Sequence, residues 1–270
     1  MNLITDTAIQ NALLDATFKA GKVILDIRQK GFSETLKQDG SPVTLADQLA
    51  EEILLTTLSR LFPEIPIIAE EEADKGTLPT IGGTFFLVDA LDGTKDFIAG
   101  GNNFTVNIGL ISQSLPVFGI VYAPAIGRLF LGGVNINPWQ AIVDCRQSFP
   151  EITNRSQLKV RKFQPTAAKA LASHSHRDGK TDKWLEKHEF STVEPLASSL
   201  KFCRLAAGEA DVYPRFSPCM EWDTAAGHAI LEAAGGKLTG IAGEQFLYGK
   251  VNQSPPFLNP GFIASGSWGQ

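Results

Sequence analysis

Cysteine is scarce in this chain, basic residues are not in excess, and long apolar runs are missing. The three cysteines, Cys145, Cys203 and Cys219, are an odd number without CxxC spacing, which argues against a disulfide framework or a cysteine metal knuckle and suits a reducing compartment. Lys and Arg total 24 against 29 Asp and Glu, a net charge of −5, so the overall field does not favour a nucleic-acid polymer as partner. No stretch approaches the roughly 18 apolar residues of a membrane span, and no transmembrane segment is expected. Met1 leads into a polar, acid-containing stretch instead of a basic region and a hydrophobic core. The expectation is a cytoplasmic protein, with peripheral association at the inner face of a membrane left open. Internal repeats and low-complexity tracts are also absent.

The composition is that of a globular protein: 270 residues, 43% hydrophobic and 20% charged, enough to bury roughly 70–75% of the unfolded surface. Ile9, Leu13, Ala16, Ala20, Ile24 and Ile27 recur at helical spacing until Gly31. A second helix is expected after Thr44, with Leu49, Ile53, Leu54, Leu58 and Leu61 on one face. Strands are expected at 66–69, 84–88 and 104–110, the last from the alternation of Phe104, Val106, Ile108 and Leu110 with Thr105, Asn107 and Gly109. Further strands are expected at 117–122, 128–131 and 141–144. Residues 149–166 turn polar and carry Pro150 and Pro165. They divide the chain into an expected N-terminal α+β domain, 1–160, and a smaller C-terminal α/β domain, 161–270. In the latter, strands at 168–172 and 211–213 alternate with helices near 184–188, at 198–207 and at 223–234, the last ended by Gly235 and Gly236.

Three acidic segments carry chemistry. Leu87 and Val88 run into Asp89, Asp92, Gly93 and Thr94. Two carboxylates with the Leu91 carbonyl between them offer hard oxygen ligands of the kind Mg²⁺ takes, and Gly93 and Thr94 lie where a following helix could present N–H groups to a phosphate. An acidic turn with an Asp cap explains the same residues. Upstream, an apolar run ends in Glu70, Glu71 and Glu72, three like charges that repel unless solvent or a cation compensates. Glu70 at the strand end is the candidate ligand, and a solvated loop is the alternative. Downstream, Asp223 follows Trp222 at an expected helix start, where capping would also account for it. Asp47, three residues after Thr44, reads as part of a capping box.

Taken together, Glu70-Glu71, Asp89-x-Leu91-Asp92-Gly93-Thr94 and Trp222-Asp223-x-Ala225-Ala226-Gly227 resemble the three metal-binding motifs of the lithium-sensitive, inositol monophosphatase-like phosphatases, in order and spacing over most of the chain. Within that superfamily Asp39-Gly40-Ser41-Pro42-Val43-Thr44, Lys95, Ser198-Ser199-Leu200-Lys201-Phe202-Cys203, 212–216 and Phe257-Leu258-Asn259-Pro260-Gly261-Phe262 are similar to the bacterial branch of the 3'(2'),5'-bisphosphate nucleotidases. The resemblance implies an α/β chain folded as an α+β layered sandwich, with alternating helix and sheet layers. It implies two or three Mg²⁺ ions held by Glu70, Asp89, the Leu91 carbonyl, Asp92 and Asp223, with inhibition by Li⁺, and a water activated by Thr94 and oriented by Asp47. The implied reaction converts adenosine 3',5'-bisphosphate to AMP and phosphate, within sulfur assimilation. Inositol monophosphatase activity is the nearest alternative, and a non-catalytic binding module the more distant one. Gly93, Thr94 and Lys95 are expected to meet the substrate, and His176, Ser198, Lys201 and Arg215 to meet its second phosphate and base. Ser198 and Lys201 stand three apart on an expected helix and so share a face. Surface charge is the alternative for Lys201 and Arg215, and an ordinary loop position for His176. One departure is visible: Ala90 stands where the family usually has proline.

Overall fold

The computed structural model describes residues 4–37, 42–175 and 177–269. Asp39, Gly40 and Ser41 of the loop motif, and His176, lie outside the described residues. Helix α1 (Thr7–Lys30) begins where the Asp6 carboxylate accepts from Ala8 N and ends at Gly31, whose φ of 82° only glycine adopts at no cost. A hairpin of β1 (Glu34–Leu36) and β2 (Pro42–Thr44) leads into α2 (Leu45–Leu61). The inward face of α2 is rotated from the expected leucine stripe. Leu49 is exposed, and Ala46, Asp47, Ala50, Glu51, Leu54 and Leu58 are buried. Two carboxylates on an apolar face are tolerable only with partners, and both have them.

Strand β3 (Ile67–Ala69) is followed by α3 (Glu70–Asp74), β4 (Thr84–Asp92), α4 (Thr94–Ile98) and a meander of β5 (Thr105–Ser112), β6 (Leu115–Ala123), β7 (Arg128–Gly133), β8 (Ile136–Ile142) and β9 (Thr153–Gln157). These strands form a seven-stranded sheet in sequence order, β3 and β4 parallel and the rest antiparallel. The strand expected at 141–144 is the end of β8, which begins earlier. β9 was not expected, because all five of its residues are exposed and no apolar alternation marks it.

The second half contributes β10 (Lys169–Ser173), α5 (Gly179–Lys187), β11 (Thr192–Leu196), α6 (Leu200–Ala206), β12 (Val212–Arg215), β13 (Cys219–Met220), α7 (Ala225–Ala233), β14 (Lys237–Gly240), β15 (Leu258–Asn259) and β16 (Phe262–Ser265). A five-stranded sheet runs β11-β10-β12-β16-β14, and β13 pairs with β15. Among the described residues no helix is long and apolar enough to cross a membrane. The three cysteines are buried and unpaired.

Packing arranges these elements in alternating layers. Leu13, Ile24, Leu54 and Leu58 of α1 and α2 meet Phe86, Val88 and Ile108 on one face of the seven-stranded sheet. On its other face α6 and α7 fill the space between the sheets, Phe202, Leu205, Ala226 and Ile230 joining Phe85, Leu87 and Val121 to Leu171, Tyr213 and Phe262. Leu185 of α5 covers the outer face of the five-stranded sheet with Ala170, Ala172 and Val212. Each of the Val, Leu, Ile and Phe side chains among these contributes about 1.5–3 kcal/mol on burial.

Because α7 lies between sheets, the polar face of β5 is buried as well, and residues 105–111 are all inaccessible. The close approach depends on glycine. A Cβ on Gly109 would come within 2.8 Å of the Ala225 Cβ, and one on Gly119 within 2.1 Å of the Ala226 carbonyl oxygen. Backbone cannot swing aside as a side chain can. Gly119→Ala is therefore expected to lower stability by at least about 1–3 kcal/mol, the usual cost of overpacking, measured as a reduced midpoint in denaturant unfolding. An unchanged midpoint would mean that α7 sits further from the sheet.

Candidate active site

The strand ends of the first sheet and a turn from the second half converge on a cavity of about 180 Å³. Glu70 enters it at the junction of β3 and α3, Asp89 and Asp92 at the end of β4, and Asp223 from a 3₁₀ turn (Glu221–Asp223) ahead of α7. One carboxylate oxygen from each of Glu70, Asp89 and Asp223 lies within 4.8 Å of the others. Burial pushes the Asp223 carboxyl up to about 7, with the charge of Asp92 adding to it. Burial also raises Glu70 to about 8, against the attraction of Lys37 and with the repulsion of Asp223. Asp89 is raised well above the carboxylate range by burial and then by Glu70, Asp92 and Asp223.

Asp223 does not cap α7, the alternative open at the sequence level. Thr224 occupies the cap position, its side chain making no capping bond to the helix, and Asp223 accepts from Met220 N at 3.2 Å. Asp92 is held differently from the other three. Its Oδ2 accepts from Ser199 N at 2.6 Å, Ser199 Oγ at 2.7 Å and Asn107 Nδ2 at 3.3 Å. At Gly93, whose φ of 95° favours glycine, the chain turns from β4 into α4. Ala90, in the position usual for proline, is a buried residue of β4.

Asp47 does serve as the capping-box acid of α2, its Oδ2 accepting from Thr44 N and Thr44 Oγ1 at 2.8 Å each. Its other oxygen reaches the cavity, where Oδ1 accepts from Thr94 Oγ1 at 3.0 Å. The Thr94 hydroxyl also lies 3.1 Å from the Leu91 carbonyl. Its one hydrogen is directed to oxygens of the protein, so its lone pairs are what it can offer the cavity. Burial raises the Asp47 carboxyl, and the bonds from Thr44 and Thr94 oppose that rise.

On the cavity wall contributed by the second half of the chain the expected geometry needs one correction. Ser198 and Lys201 do not share a helix face, because α6 begins at Leu200 and Ser198 precedes it with φ of 56°. Lys201 is 3% exposed, and its Nζ donates to the carbonyls of Ser198 at 2.6 Å and Leu196 at 3.1 Å. Two of its three N–H groups thus secure the loop that presents Ser199 to Asp92, and burial brings its pKa down to about 8. It is not an ordinary surface charge. Arg215 lines the cavity, anchored by Nε to the Ser217 carbonyl and by Nη2 to that of Pro218. Lys95 stands exposed on the rim.

Several residues that matter here carried no role at the sequence level. Lys37 places its ammonium 2.7 Å from Glu70, 2.8 Å from Glu71 and 2.7 Å from Asp74. Glu221, fully buried beside Asp223, accepts from Gly249 N at 2.7 Å and from Lys250 N and Nζ at 3.0 Å each. Asn259 joins this ion pair to the turn, accepting from Lys250 Nζ and donating to Thr224 Oγ1, both at 2.9 Å. That gives the 257–262 motif a mechanical role in holding Asp223. A lone buried acid signals such a network only through its apolar neighbours, here Trp222 and Met220.

The chain has relatives among known proteins. The family model described as Inositol monophosphatase family matches residues 6–258. The chain is 38% identical over 245 residues to the 3'(2'),5'-bisphosphate nucleotidase CysQ of Salmonella typhimurium, covering 90% of this chain and 94% of that protein. It is 36% identical to the CysQ of Escherichia coli K12, over 91% and 95%. The crystal structure of CysQ from Bacteroides thetaiotaomicron superposes with a TM-score of 0.75 at 31% identity, covering 98% of this chain and 99% of that one.

The raised carboxyls set a sign for stability against pH. Glu70 and Asp223 keep protons in the folded state that the unfolded chain releases from about pH 4 upward. Between about pH 4 and 8 the folded state therefore binds more protons, and stability falls as pH rises. Metal-free protein is expected to have a lower denaturation midpoint at pH 8.5 than at pH 5.5. A midpoint that rises over that interval would show that the acids are not held against one another.

Proposed function

Because the chain belongs to the inositol monophosphatase family, we propose that this cavity hydrolyses the 3'-phosphate of adenosine 3',5'-bisphosphate, giving AMP and inorganic phosphate. The observation that carries the reading is that the Glu70, Asp89 and Asp223 cluster, the Thr94 hydroxyl bonded to Asp47, and the Arg215 guanidinium all face one cavity.

The donor set fits a hard divalent cation. It consists of carboxylate oxygens, mutually repelling and poorly hydrated, and a substrate bearing about −1.5 to −2 charge per phosphate could not approach them uncompensated. Glu70, Asp89, Asp92, the Leu91 carbonyl and Asp223 are the groups that would hold Mg²⁺, which supplies charge neutralisation on the phosphate and acidification of a water. Li⁺ is expected to inhibit by competing for the same oxygens.

The protein's own part is proton handling and placement. Thr94 Oγ1 accepts a hydrogen bond from the attacking water while its own hydrogen goes to Asp47 Oδ1. As the oxygen attacks phosphorus and the bond to the 3' oxygen breaks, a proton passes from the water through Thr94 to Asp47, whose burial makes it a better acceptor than a solvated carboxylate, and the leaving 3' oxygen takes up a proton from solvent to become the hydroxyl of AMP. Ser199, held by the loop that Lys201 fastens, fixes Asp92. The turn at Gly93 and Lys95 faces the transferring phosphate. Ser198 and Arg215, both on the cavity wall, are proposed to meet the second phosphate and the nucleoside, and the same role is proposed for His176. A place in sulfur assimilation, where such nucleotides arise, follows from this substrate.

Phosphate release from adenosine 3',5'-bisphosphate and from inositol 1-phosphate, each with and without Mg²⁺, tests the reading. The bisphosphate should be preferred and Mg²⁺ required, and a preference for the inositol ester would reassign the substrate. Asp47→Asn should lower kcat by about 10²–10⁴ while leaving the Mg²⁺ requirement nearly unchanged. Full recovery at high Mg²⁺ would make Asp47 a cation or capping residue only. Arg215→Ala should reduce kcat/KM for the bisphosphate by roughly 10- to 150-fold, the loss of a charge-assisted bond worth about 1.5–3 kcal/mol. Turnover of the monophosphate should change little, and an equal loss on both substrates would remove Arg215 from the second-phosphate role.

A further inference from the structure

Glu51 lies on the buried face of α2, four residues after Asp47 and 3% exposed. Both oxygens of its carboxylate are used: Oε2 accepts from Glu71 N at 2.9 Å and Oε1 from Glu72 N at 3.1 Å. These amides belong to the first turn of α3, where backbone N–H groups have no helical carbonyl. Ala69, the residue preceding the helix, makes no side-chain cap. Burial pushes the Glu51 carboxyl up to about 7, and the amide bonds and the charges of Glu71 and Glu72 act on it in opposite senses. Packing alone does not account for a fourth acid placed behind Glu70, Glu71 and Glu72. Its two bonds fix the direction in which α3 leaves β3, and Glu70 is the first residue of that turn. On the same helix, about 6 Å away along the axis, Asp47 holds Thr94 Oγ1.

We propose that Glu51 is a positioning residue that sets Glu70 against Asp89 and Asp223 through the Glu71 and Glu72 amides. Helix α2 then acts as one rigid gauge between the cation cluster and the proton-handling pair. This rests on the reading of Glu70 as a cation ligand. Outer partners of metal ligands commonly govern affinity by 10- to 100-fold.

The test is calorimetric titration of Mg²⁺ into the full chain, independent of turnover. Glu51→Gln, which cannot accept from both amides, and Glu51→Asp, which keeps the charge but loses reach, should each weaken Mg²⁺ binding on the order of 10- to 100-fold. Combined with Glu70→Gln, Glu51→Gln should add no further loss, since residues acting through one contact are not additive. Parent-like affinity in Glu51→Asp, or additive losses in the double variant, overturns the proposal. Parent-like affinity in Glu70→Gln alone overturns the ligand reading beneath it. If the variants fail to fold, amide exchange in the metal-free parent decides: the Glu71 and Glu72 amides should exchange at least about 10-fold slower than unprotected amides, and fast exchange at both overturns the clamp.

Discussion

Carboxylates whose oxygens approach within 4.8 Å repel one another, and the organisation of this protein follows from the need to hold them there. Each acid comes from a different kind of anchorage. Asp89 is carried by the buried strand β4, next to the edge strand of its sheet, Glu70 by a turn whose amides are engaged from behind, and Asp223 by a short turn locked to a buried ion pair. No single element could be strained enough to bring all of them together. The repulsion is spread over the core as a whole, and Lys37 relieves part of it at one edge.

Burial of charge has a second effect. Glu221 and Lys250 form a pair whose acid has no exposed surface, and removal of one partner from such a pair strands the other, commonly at a cost of about 3–5 kcal/mol. The pair is thus a weak source of stability but a strong source of uniqueness. It permits only the arrangement in which the turn carrying Asp223 meets residues 249–259. The same reasoning applies to Lys201, which satisfies two carbonyls of a loop in left-handed backbone and so makes that loop conformation the favoured one.

Much of this was legible in the sequence, and the misses have a common cause. Helix α1, strands β3 to β7 and the acids at strand ends were readable because periodicity and local chemistry mark them. The face of α2 was misread because Leu49 looks like core while Asp47 and Glu51 look like surface. Only the tertiary partners, Thr94 and the α3 amides, reverse that assignment. The spacing of Ser198 and Lys201 points to one helix face, yet Ser198 is itself left-handed and precedes the helix, and single-residue backbone choices of this kind leave no pattern. Strand β9 is exposed along its length and offered no pattern either. Lys37 and Asn259 act across long sequence separations, which spacing within a window does not reveal.

The strand orders also bear on how the chain reaches this state. From β4 to β9 each strand pairs with its sequence neighbour, so the first sheet closes only short loops and can form early. The five-stranded sheet is different, since β16 must insert between β12 and β14, and β15 must reach back to β13. Those pairings close longer loops and carry the larger entropic cost of closure. The carboxylate cluster thus joins two kinds of connectivity: Glu70, Asp89 and Thr94 stand on the short-loop side of the chain, and Asp223 on a turn braced by residues 249–259 from far along the sequence.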